Sequence, residues 1–114
     1  MAKVGRFITD PRVGAYCQVT LDSGEKLVVN HDTASREGGR LTIEVSKLLG
    51  FSSERIFTCD LGTPEGRPVL AALTRPAEPG SPEANPLGAL VRVVKDCRTV
   101  ADVKARCAVL ASGG

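Results

Sequence analysis

Between Ala15 and Leu21 the chain alternates without a break: Cys17, Val19 and Leu21 fall on one face, Tyr16, Gln18 and Thr20 on the other. A period of two is what a strand with one buried face requires, because successive side chains point to opposite sides of the backbone. Asp22-Ser23-Gly24 follows, with glycine available for the left-handed position of a tight turn. Leu27 and Val29 resume the alternation in a returning strand, Glu25 to Asn30. Upstream, Lys3 to Thr9 reads as a strand that reverses at Asp10-Pro11-Arg12-Val13-Gly14. Asp favours the start of a turn, Pro fixes φ, and Gly accepts positive φ at the exit. Three consecutive strands form a meander, and its apolar face must be covered by whatever follows.

The remaining segments divide into one ambiguous stretch and a clearer sequel. Asp32 to Gly39 is polar with paired glycines, a loop. In Arg40 to Gly50, Leu41, Ile43 and Val45 alternate like a strand, while Leu41, Val45, Leu48 and Leu49 fit helical spacing with Gly50 as the stop. A strand to Val45 followed by a single helical turn Ser46–Leu49 satisfies both patterns, but the reading favours a helix over much of this segment. Arg55 to Leu61 follows as a strand with Phe57, Cys59 and Leu61 inward, and Pro68 is expected to stop a helix starting at Pro64. Val69 to Leu73 fits a short edge strand or one to two helical turns, with Ala71 and Ala72 favouring the helix. The stretch 74–86 holds four prolines and reads as a linker.

Beyond it, Asn85 is a cap and Pro86 occupies the first helical position, leading the stripe Leu87, Leu90, Val91, Val94. Thr99 with Asp102 three residues on has the form of a capping box, and Val100, Val103, Cys107 and Leu110 make a second stripe. The expected fold is α+β: a β-rich barrel-like unit of about five strands over residues 1–73, the linker 74–86, and two C-terminal helices over 87–111 as an appendage of the same domain. That order resembles an OB-like or SH3-like small barrel, in topology only.

At 114 residues the chain suits one domain. No apolar run follows Met1-Ala2-Lys3, and no stretch approaches the roughly 20 apolar residues of a membrane span, so the expectation is a cytoplasmic protein with no membrane partner. In that setting Cys17, Cys59, Cys97 and Cys107 are expected as reduced, buried thiols rather than bridges. The net charge of +2 is too small to announce a nucleic-acid partner. Eight basic and eight acidic residues balance over 1–60, whereas 87–111 carries five basic against two acidic.

No motif names a chemistry. His31 is the single histidine, and although His31-Asp32 resembles the metal-binding dipeptide of phosphohydrolases, the further histidines of such a site are missing. The cysteines show no Cys-x-x-Cys spacing, so no metal, cofactor or catalytic residue is assigned. Glycine-rich phosphate cradles and the Gly-x-Ser-x-Gly elbow are also lacking. Three functional readings follow in order. The first is a non-enzymatic binding module for a protein partner or a second copy as a homodimer, through Val100, Val103, Cys107 and Leu110. Second comes single-stranded nucleic acid on the sheet face, through Arg6, Arg12, Tyr16, Gln18 and Lys26. The third is a small enzyme pairing His31 with Cys59, Asp60 or Ser23.

Overall fold

The computed structural model describes residues 2–12, 14–34, 38–47, 52–75, 78–81 and 84–112. They form strands β1 (Lys3–Val4), β2 (Ile8–Asp10), β3 (Gly14–Thr20), β4 (Lys26–Asp32), β5 (Arg40–Lys47) and β6 (Ser52–Asp60), then helices α1 (Gly66–Thr74), α2 (Pro86–Lys95) and α3 (Val100–Ala111). All pairings are antiparallel. The sheet runs β3-β4-β5-β6, with β1 and β2 both lying along the outer edge of β3. The α+β class is as expected, but the barrel-like sheet and the two helices are corrected: no pairing among the described residues joins the β1–β2 edge to β6, and there are three helices. The physical reason is that helices, not a curled sheet, take up the apolar face.

The first strand is broken by one extra residue. Gly5 N–H donates to the Gln18 carbonyl at 2.8 Å, while Ile8 already pairs with Tyr16. Arg6 and Phe7 therefore stand together opposite Cys17, which makes a β-bulge and divides the edge into two short pieces. The next turn closes as the sequence requires: the Asp10 carboxylate accepts from Arg12 N–H at 2.8 Å. At the hairpin after β3, Gly24 takes φ +88 and its N–H donates to Leu21.

Arg40 to Lys47 is a strand, correcting the helical preference; Leu48 to Gly50 lie outside the described residues. β5 pairs with β4 along one side and β6 along the other, so its backbone groups are satisfied laterally and tertiary pairing overrides the local spacing. Val69 to Leu73 lies inside α1, which starts at Gly66 rather than being stopped by Pro68. Proline in a first helical turn removes an N–H that has no partner in the helix anyway.

One hydrophobic cluster holds the layers together. Across the sheet Cys17, Val29, Ile43 and Phe57 form one cross-strand row on the covered face. α2 lies against β3 and β4, while α1 and α3 lie against β6. Six apolar side chains of α2, from Leu87 to Val94, are buried because the sheet and both other helices surround it. Asn85 caps α2 by accepting from Leu87 N–H at 3.0 Å, and the Thr99–Asp102 capping box is complete. The hairpin turn fastens to the same place. Ser23 N–H donates to the Arg98 carbonyl, and the Glu25 carboxylate accepts from Val100 N–H at 3.0 Å; the Ser23 hydroxyl first, then this N–H, draw the Glu25 pKa below its ordinary value.

Candidate functional site

The stripe on α3 is spent inside the chain. Val103 is 1% exposed and Cys107 5%, both within the cluster, and Val100 and Leu110 are half-buried against it. The large apolar side chain that α3 exposes is Val109, at 54% exposure.

The structure separates the residues of the catalytic reading. His31 and Asp32 are neighbours on one strand, so their side chains take opposite faces. His31 shares a row with Leu41 and Cys59, and Leu41 stands between them, so imidazole and thiol are two strand spacings apart, roughly 10 Å. The ring lies against Gly39, its Nε2 buried without a hydrogen-bond partner among the described residues. Burial pushes the imidazole pKa down against the opposing pull of the Gly38 carbonyl and Asp32. Ser23 is at the opposite end of β4, committed to Glu25.

A cavity of about 350 Å³ opens where β6 meets α1 and the end of α3, lined among others by Cys59, Asp60, Thr63 and Glu65. Its volume suits a small ligand, but its Asp60 and Thr63 are engaged within the chain. Asp60 accepts from Arg40 Nε at 2.6 Å and Nη2 at 3.3 Å, and the Thr63 hydroxyl donates to the Asp60 carbonyl at 2.7 Å. Burial, then the Asp60 charge, raises the Cys59 pKa, so the thiol stays protonated at neutral pH. None of the described cysteines is bridged, and no group of three or more His, Cys, Asp or Glu among the described residues could hold a metal.

Among the described residues no helix lies on the second face of the sheet. Its rows, read from the strand register, are Ile8–Tyr16–Asn30–Thr42–Thr58, Gln18–Val28–Glu44–Arg55, Asp32–Arg40–Asp60 and Lys3–Thr20–Lys26. None of these residues belongs to the buried cluster that holds the helices. Tyr16, Gln18 and Lys26 of the nucleic-acid reading are thus brought onto one face, with Tyr16 half-buried. Arg6 and Arg12 are exposed beside that face, in the bulge and the turn.

The two halves of this face differ in charge. On β5 and β6, Arg40 pairs with Asp60 and Arg55 with Glu44. Towards the β1–β2 edge, Lys3, Arg6, Arg12 and Lys26 form no ion pair among the described residues. The same edge carries Val4 at 42%, Phe7 at 48% and Ile8 at 42% exposure, three of the four large apolar side chains exposed among the described residues. Sequence reasoning passed over Lys3, Val4, Phe7 and Ile8. The signal was present: consecutive Phe7-Ile8 breaks the period of two and marks the bulge.

Fold and surface together define a two-layer α+β domain with one helix-covered sheet face, one uncovered face and an apolar, cationic edge. No family model matches the chain, nor does any curated protein or solved structure.

Proposed function

We propose that the chain is a small non-enzymatic binding module, working in the cytoplasm, that engages a protein partner along the β1–β2 edge. The observation that carries this is the clustering of Val4, Phe7 and Ile8, all more than two-fifths exposed, within five consecutive residues. Single exposed apolar side chains are ordinary; three within five residues of one sheet edge mark a contact surface. The bulge and the cations Lys3 and Arg6 guard this edge against strand addition, so the contact is made by side chains. A photo-crosslinking amino acid placed at position 7 or 8, with position 53 on the opposite edge as control, tests the site. Protein adducts confined to positions 7 and 8 support it; equal labelling at 53, or no adduct at 7 and 8, overturns it.

A second reading, single-stranded nucleic acid, is favoured by the meeting of Tyr16, Gln18 and Lys26 on the uncovered face beside the exposed Phe7. It requires binding that weakens steeply with salt and with Arg12→Ala or Tyr16→Ala, and absence of a gel shift at low salt removes it.

A further inference from the structure

The β1–β2 edge combines two properties that specify what it takes. Its apolar side chains, Val4, Phe7 and Ile8, stand among Lys3, Arg6 and Arg12, all exposed and none in an ion pair among the described residues. The acid in this segment, Asp10, already accepts from the Arg12 backbone. Elsewhere on the uncovered face Arg40 and Arg55 are neutralised within the chain, by Asp60 and Glu44. The edge is therefore the place where anionic groups brought by another molecule meet unshared cations beside apolar contact area.

We infer that the segment bound at this edge is an acidic amphipathic peptide, with carboxylates interleaved among apolar side chains. The inference rests on the protein-binding reading above and adds the chemistry of the partner. Lys3 and Arg6 are three residues apart, at most roughly 10 Å along the chain, so one partner segment can meet both with carboxylates a few residues apart. Phe7 is the one exposed aromatic at this edge among the described residues and Tyr16 is half-buried, a thin stacking platform, which favours peptide over nucleic acid. A second copy meeting this edge with its own would bring two sets of cations together.

The test uses the full chain and three labelled 12-residue peptides with the same Leu and Phe residues, and Glu, Gln or Lys at the alternate positions. Binding is followed by fluorescence anisotropy, and the contact residues by amide chemical-shift mapping. The Glu peptide is expected to bind at least tenfold more tightly than the Gln peptide, to shift the amides of residues 3–12, and to weaken with added salt. The double reversal Lys3→Glu, Arg6→Glu should invert the preference in favour of the Lys peptide. Phe7→Ser should weaken the Glu peptide several-fold with the salt dependence retained. Equal, salt-independent binding of the Glu and Gln peptides at residues 3–12 overturns the inference and leaves the protein-binding edge standing. No shift at residues 3–12 with any peptide, together with no crosslink at position 7, overturns both. Tighter binding of a dT15 oligonucleotide at the same salt, or self-association lost with Phe7→Ser, replaces the inference with nucleic acid or a second copy.

Discussion

Truncating Val103 separates a core role for the α3 stripe from an interface role. Its side chain is 1% exposed, within the cluster shared by sheet and helices. Val103→Ala removes two methyl groups, worth about 1.6 kcal/mol of transfer free energy at about 0.8 kcal/mol per buried carbon. A residual cavity of about 50 Å³ adds about 1 kcal/mol at roughly 24 cal/mol per Å³, less whatever the site regains by relaxing. The expected loss is about 2–3 kcal/mol, which lowers the melting temperature by roughly 10–20 °C. Val109→Ala on the same helix, at 54% exposure, is the control and should stay within about 0.5 kcal/mol of the parent. Urea denaturation followed by circular dichroism, repeated over a hundredfold range of protein concentration, reads both. A Val103→Ala protein as stable as the parent would refute the reasoning. So would a loss at Val103 that appears only where the parent associates, because an interface residue, unlike a core residue, contributes in proportion to assembly.

Three further outcomes follow from the geometry. Gly14→Ala should be far more damaging than Gly24→Ala: at Gly14, φ is +100 and a Cβ would meet the His31 carbonyl, whereas at Gly24 the same kind of φ opens into empty space and costs only about 1–2 kcal/mol. Comparable melting temperatures for the two variants would refute this. In thiol titration at pH 8, Cys59 should react first, because Cys17, Cys97 and Cys107 are buried and burial pushes the Cys107 pKa up to about 11; fast labelling of Cys107 in the folded protein would contradict it. Burial also depresses the His31 pKa below 6.5, so between the two values the unfolded chain holds more protons than the folded one. The His31 contribution is complete above pH 6.5 and is lost as pH falls through the folded pKa, a slope that His31→Asn should flatten and that equilibrium unfolding at several pH values would read.

Much of this was legible in the residues because it is local. The alternation Cys17, Val19, Leu21 set strand and inward face together, Gly24 set the hairpin, and Asn85-Pro86 and Thr99 with Asp102 set two helix starts through bonds spanning two or three residues. Arg40 to Lys47 was not legible for the converse reason. Its apolar positions satisfy both periods, and the decision came from lateral pairing with β4 and β6, which reaches partners up to about twenty residues away such as Asp60 opposite Arg40, beyond what local spacing records. The candidate site shows the same division. Tyr16, Gln18 and Lys26 share a face by alternation, but nothing local says whether that face is covered.

The sequence by itself determined the meander, its apolar face and the caps of the last two helices, since each depends on neighbours along the chain. Only the tertiary structure decided that the helices lie on the Cys17 face and leave the Tyr16 face uncovered. It also turned the α3 stripe into core, and left Val4, Phe7 and Ile8 at an edge, because burial and exposure depend on how layers meet across the whole fold.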